Sequence, residues 1–314
     1  MAELILRSQS GAAQSAEALV AMAFNRLVGR DADAPLDVST FEQAGERFGQ
    51  LTDEQKYAFN EALVRLWLAG IPQPPTTPVA LPPVETPSFV SINGPMVLDV
   101  GVVAGVDHQG APGALRIERV TVSPGTTGFN SPRVLASLGA QTFFVAIGGE
   151  AERAVAERLI THERSGIGHF LPGLSRANVF VHVPDPAAPD RQLREVILRT
   201  PRQPLTEALG TELLAFVEER LPHAYTNRQV VLLGGQVFHK APPTLTRNVI
   251  ALVKAKGYEV LADFRPDMTY ADIVPAFEAA SDIVKPNLEE FATLCQVPVE
   301  ELRSPSSECA LSVH

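Results

Sequence analysis

The first seventy residues carry apolar positions at helical spacing. Leu19, Met22, Ala23 and Leu27 fall on one face of a stretch spanning 16–28, and Phe59, Leu63, Leu66 and Trp67 repeat the pattern further on. Ser39 with Glu42, and Thr52 with Gln55, read as capping boxes, in which paired side chains satisfy amide hydrogens orphaned at a helix start. Gly70 and Pro72 supply the stop. The spacing predicts a small helical bundle over residues 1–70 that docks on the rest of the chain or on a partner, with Trp67 as core. Nothing catalytic is visible in it.

The pattern changes twice more. Residues 71–87, IPQPPTTPVALPPVETP, hold seven of the chain's 26 prolines. Such a run cannot continue a helix or enter a sheet, so it reads as a stiff extended linker, with a docking site for a proline-recognition domain as the alternative. From 88 to about 302, apolar β-rich runs alternate with helical patterns. Runs such as VVLLGG and EVLADF lack polar alternation, as strands buried on both faces do. Strand, helix, strand order then predicts a parallel sheet covered by helices on both faces. Residues 98–122 differ, reading as a small antiparallel flap around Gly105, Gly110 and Gly113.

Composition adds exclusions. With 26 basic against 36 acidic residues the formal net charge is −10, which argues against nucleic acid or an anionic membrane as the main partner. Two cysteines, Cys295 and Cys309, are too few for a disulfide framework, and no Cys/His spacing resembles a zinc site. No window approaches the apolar length of a membrane span. The expected setting is the cytoplasm.

The stretch SPGTTGFNSPRVLASLG, 123–139, carries the first chemistry. Gly125 and Gly128 permit positive φ and close approach of backbone to a ligand, and Asn130 offers both donor and acceptor to a hydroxyl. Pro132 suits the first turn of the following helix, whose free amides favour an oxygen-rich ligand. Alone, a glycine-rich turn before a helix is usually structural.

Its company is more specific. Asp99, then PGTTGFNSPRVLASLG, GLSRAN, VVLLGG, LADFRP and SDIVKPNLEEF follow in an order that resembles the ribokinase/phosphofructokinase-B family of carbohydrate kinases, over roughly 89–302. The resemblance implies a ribokinase-like three-layer α/β sandwich with a mainly parallel sheet and a small β flap. It implies phosphoryl transfer from magnesium-ATP (Mg2+ and ATP as cofactors) to a sugar or sugar phosphate. Asp99 would accept hydrogen bonds from sugar hydroxyls, with Gly125, Gly128 and Asn130 as the pocket floor. Arg176 and Asn178 of GLSRAN would meet a sugar phosphate; for Arg176 a surface salt bridge is the structural alternative. Lys285, Asn287 and Glu290 match the segment that organises nucleotide phosphates, with Glu290 reaching magnesium through water. A helix N-cap, Asn287 boxed with Glu290, explains the same residues structurally. GLSRAN leans toward a hexose phosphate, whereas LADFRP points to sugar-acid and fructose kinases.

Two departures stand out. Thr126 and Thr127 occupy positions where the family often has Gly-Lys, removing a cation; Arg199 and Arg202 are nearby substitutes in sequence. No glycine follows Gly257, so the family's Gly-Ala-Gly-Asp motif, source of the anion hole and catalytic base, is missing from the sequence. The catalytic base is therefore unknown. Asp263, after a strand end where ligands of open α/β sheets bind, reads as a structural or substrate residue. The expectation is a C-terminally incomplete domain over 88–302 with an unstructured tail over 303–314, weakly active or inactive. The alternative is a sugar-phosphate-binding regulatory pseudokinase. A homodimer, or a protein partner reached through the N-terminal helices, is open. A bare sheet edge is expected to favour self-association.

Overall fold

Three helices open the described part of the chain in the computed structural model: α1 (Ala16–Leu27), α2 (Val38–Gln50) and α3 (Asp53–Gly70). Residues 15–70, 88–125, 127–159, 165–172, 176–184, 193–201, 205–225, 229–234, 242–264, 268–279 and 281–303 are described. The proposed linker at 71–87 and the tail beyond 303 lie outside them, as does Arg202. Thr52 and Gln55 form the expected box before α3, each side chain accepting the other's backbone N–H. Ser39 does not cap α2. Asp37 does, accepting the Thr40 N–H at 2.7 Å, so the helix begins just before Ser39. A carboxylate is the stronger acceptor at a helix start, where the dipole favours negative charge.

Six parallel strands form the larger sheet, in the order β10 (Ile283–Lys285), β9 (Glu259–Asp263), β8 (Val230–Gly234), β1 (Phe89–Pro95), β4 (Thr142–Gly148), β5 (Ser165–Pro172). The runs without polar alternation sit here, and β8 is buried along nearly its whole length. Helices α6 (Glu207–Glu219), α7 (Pro243–Ala255) and α8 (Tyr270–Glu278) pack into one apolar core with Val90, Ile92, Val231 and Val260. Helix α4 (Thr127–Ser137) packs on β1 and β4, with Phe129 edge-on to Phe144. Helix α5 (Glu150–Leu159) follows β4. Among the described residues β10 is an edge strand, and Ile283 is exposed on it.

The flap is larger than its sequence suggests. β2 (Leu98–Val106) and β3 (Leu115–Pro124) pair antiparallel, and β6 (Ala177–Pro184) and β7 (Leu193–Arg199) join them in the order β3-β2-β6-β7. Every second residue of β2 and β6 is buried: Leu98, Val100, Val102 and Ala104; Ala177, Val179, Val181 and Val183. That apolar face is covered by α1, α2 and α3. Their Phe24, Phe41, Phe48 and Phe59 make edge-to-face contacts in the same core. Backbone and charge extend the seam, through Leu115 N–H to the Leu36 carbonyl at 2.7 Å and Arg194 to Glu42. Two short helices, α9 (Leu288–Cys295) and α10 (Val299–Arg303), end the described chain.

Phe24→Ala would empty a fully buried ring site shared by the helices and the sheet. We expect a loss of ~3–5 kcal/mol in urea unfolding. Trp67 fluorescence and exchange at β6 amides should report the same transition; separate transitions would mean that the helices fold as an independent unit.

Candidate sugar-binding crevice

The face of the four-stranded sheet opposite the helices is polar at one register. Ser123 pairs with Asp99, Asp99 with Asn178, and Asn178 with Arg199, so four strands present one row of Ser, Asp, Asn and Arg side by side. Period-two alternation compels this: the residue after each buried Leu98, Ala177 and Leu198 must point to the other face. Only two residues, Met96 and Val97, separate β1 from β2. The row therefore lies just beyond the carboxyl end of β1. The chain leaves β1 toward β4 on one side and later returns to β8 on the other, which makes this the switch point where ligands of open α/β sheets bind.

Asp99 is the centre of the row. Asn178 Nδ2 donates to its Oδ1 at 3.2 Å, and Asn178 Oδ1 is buried with no hydrogen-bond partner among the described residues. Burial, opposed by the Asn178 hydrogen bond and the charges of Arg176 and Arg199, leaves the Asp99 carboxyl above its ordinary range. Gly125 closes the other side, its N–H donating to the Val97 carbonyl at 2.9 Å. Gly125 does not adopt positive φ. Its value is close approach, since a Cβ there would lie 2.2 Å from Asp99 Oδ2.

Helix α4 starts earlier than expected, at Thr127, so Gly128 is its second residue and Pro132 sits inside it. Pro132 has no N–H, which leaves the Gly128 carbonyl without its usual helical donor. Asn130 is exposed on the first turn and donates to the Pro124 carbonyl at 3.2 Å.

Arg176 is not on the surface; it is 5% exposed. Its backbone is fixed from two sides. The carbonyl accepts the Leu98 N–H at 2.9 Å, and its N–H donates to the Glu152 carboxylate. Glu152, fully buried in the first turn of α5, also accepts the Gly149 N–H at 3.1 Å. Thr200 hydroxyl donates to the Ala177 carbonyl at 2.9 Å. Neither Glu152 nor Thr200 is signalled by the sequence, because an acid in a first helical turn and a threonine after a strand are ordinary. Arg199, by contrast, is exposed in the row itself and supplies the open cation there.

Lys285, Asn287 and Glu290 gather elsewhere. Lys285 Nζ pairs with Asp263 at 3.0 Å at the ends of β10 and β9. Asn287 caps α9 in a full box, with Glu290 N–H to Asn287 Oδ1 at 2.9 Å and both Glu290 oxygens accepting from Asn287. Three strand spacings of about 4.8 Å separate β10 from β1, roughly 14 Å in all. The two clusters thus occupy different parts of one sheet end. Among the described residues no three His, Cys, Asp or Glu side chains come together as a metal cage, and Glu290 has both oxygens engaged.

No protein-family model matches the chain, and no curated protein does. Several solved structures are similar in fold. One is the tetrameric inhibited form of phosphofructokinase-2 from Escherichia coli, 19% identical over 68% of this chain and 65% of that one, with a TM-score of 0.48. Others are Arabidopsis thaliana ribokinase complexed with ribose and ATP (19% identical, 68% and 64% covered, TM-score 0.46) and a carbohydrate kinase from Agrobacterium tumefaciens (16%, 66% and 62%, 0.40). The chain spans 65% of the length of the first. No described helix is long and apolar enough to cross a membrane.

Two variants separate site from scaffold. Gly125→Ala should fold cooperatively, because the clashing atoms belong to a movable carboxylate, yet it displaces Asp99 from Asn178. Ligand affinity is expected to fall about tenfold or more by calorimetry. The second variant concerns Asp99. A carboxyl raised by folding contributes stability that is full below its unfolded value of 3.8 and is lost as pH rises through the folded value. Asp99→Asn should therefore match or exceed the wild-type Tm at about pH 7, with the gap narrowing toward about pH 4. A Tm well below wild type at neutral pH would refute the burial cost.

Proposed function

We propose that the crevice beside β2 binds a sugar phosphate, and that the chain is an ATP-dependent carbohydrate kinase of the ribokinase/phosphofructokinase-B type acting on a sugar or, preferentially, a hexose phosphate. The observation that carries this is the in-register row of Ser123, Asp99, Asn178 and Arg199 at the switch point. A polyol needs adjacent acceptors and donors at fixed spacing, which a row across strands supplies. Asp99 accepts from a ring hydroxyl, Asn178 orients both the carboxylate and the sugar, and Gly125 admits the ring close to the backbone. Arg199, with buried Arg176 behind it, neutralises phosphate where the usual lysine is replaced by threonine. Asn130 and the Gly128 carbonyl complete the floor.

The nucleotide would lie toward β8 and β9, with Lys285, Asn287 and Glu290 at its margin; bound magnesium-ATP would supply the phosphoryl group. Residues 88–302 are then the kinase domain, and the cytoplasm its setting. A second reading, a sugar-phosphate-binding regulatory protein without turnover, is favoured by one observation. Lys285, Asn287 and Glu290 are each engaged by protein partners.

Calorimetric titration with fructose 6-phosphate, fructose and inorganic phosphate tests binding, beside ADP release with magnesium-ATP. Binding of fructose 6-phosphate that Asp99→Ala abolishes supports the crevice. Accompanying turnover selects the kinase, and binding without turnover selects the regulatory protein. No binding by any of the three to folded chain sinks both readings.

A further inference from the structure

We propose that helix α3, outside the sugar-kinase-like part of the chain, is a working part of the crevice, with Asn60 and Tyr57 as positioning residues for Asn178 and Arg199. This rests on the crevice being the sugar-phosphate site. Asn60 lies on the apolar side of α3 between Phe59 and Leu63 and is fully buried. Its Nδ2 donates to the Ala177 carbonyl at 2.6 Å and reaches the Leu198 carbonyl at 3.5 Å. One turn earlier on the same face, the Tyr57 hydroxyl donates to the Pro201 carbonyl at 2.6 Å.

Those three carbonyls flank the site. Ala177 lies between Arg176 and Asn178; Leu198 and Pro201 bracket Arg199 and Thr200. The β6–β7 ladder begins at the Asn178–Arg199 pair, and beyond it one long backbone bond, from the Thr200 N–H to the Ala177 carbonyl at 3.4 Å, links the two strands. Strand ends without partners fray. Here Asn60, Tyr57 and the Thr200 hydroxyl reinforce that long last rung and hold the final pair, which faces the crevice. A polar side chain in the helix core is costly, the more so because Asn60 Oδ1 has no hydrogen-bond partner among the described residues. An apolar residue would pack there at lower cost, but would leave the Ala177 carbonyl without this donor.

The test compares the full chain with Asn60→Ala, Tyr57→Phe and, as a control on the exposed side of α3, Arg65→Ala. Hydrogen exchange is measured at amides of 176–180 and 197–200, with β3 amides as internal reference. Calorimetry at low temperature measures fructose 6-phosphate affinity. Positioning predicts exchange at least about tenfold faster at the two strand ends but not in β3, and an affinity about tenfold weaker, for Asn60→Ala and Tyr57→Phe but not Arg65→Ala. A merely structural role lowers Tm and leaves both local exchange and affinity within about twofold of wild type; that result overturns the inference. If wild type binds no fructose 6-phosphate, the sugar-phosphate reading fails by itself and exchange at the strand ends decides the positioning. Should Asn60→Ala not fold, Tyr57→Phe, which removes one hydroxyl, decides between the two outcomes.

Discussion

A four-stranded sheet with one apolar face must bury that face. Everything distinctive in this molecule follows from how the requirement is met. Leu98, Val100, Val102, Val179 and Val181 line one side of the smaller sheet, and the N-terminal helices cover them with a cluster of phenylalanines. With that side sealed, strict alternation sends Asp99, Asn178, Arg199 and Ser123 to the other side together. The apolar packing and the polar row are two consequences of one pleat.

The crevice then inherits its geometry from backbone rather than from long side chains. Asp99 is placed by a strand that starts two residues after β1, and Arg176 by backbone bonds to Leu98 and Glu152. Short side chains on paired strands have little freedom to lose when a ligand arrives, which is the less costly way to organise a polyol site. The half-buried Asp99 carboxylate is a local cost of the same plan. On the sugar-binding reading proposed above, that cost has a return, because a partly desolvated acceptor would bind hydroxyls better than a fully hydrated one.

Much of this is legible in the chain. Long apolar runs without alternation, such as VVLLGG, announce strands covered on both faces, and Thr52 with Gln55 announces a helix start. Less legible is which sheet each strand joins. NVFVHV and REVILRT look like further strands of one parallel sheet, because pairing between segments some eighty residues apart leaves no local trace; their alternation is the available signal. Motif order points to Asp99, Gly125 and Asn178, and the structure brings them together. Arg176 reads as a sugar-phosphate residue, with a surface salt bridge as the alternative; its burial is not legible, since nothing local shows that a distant Glu152 will hold its backbone N–H. The rule that places Pro132 at a helix start is sound, but this helix tolerates the proline internally and begins at Thr127. Asn60 is invisible, as an asparagine inside a helical repeat reads as a surface break until its carbonyl partners are known.

The helical cover and the sheet belong to one covalent chain. A sheet face sealed by a second subunit is open whenever the subunits dissociate, so its integrity falls with dilution. Here the sealing surface travels with the face it protects, at an effective concentration set by the chain and not by the cell. The smaller sheet is therefore as well covered in one isolated molecule as in a crowded solution.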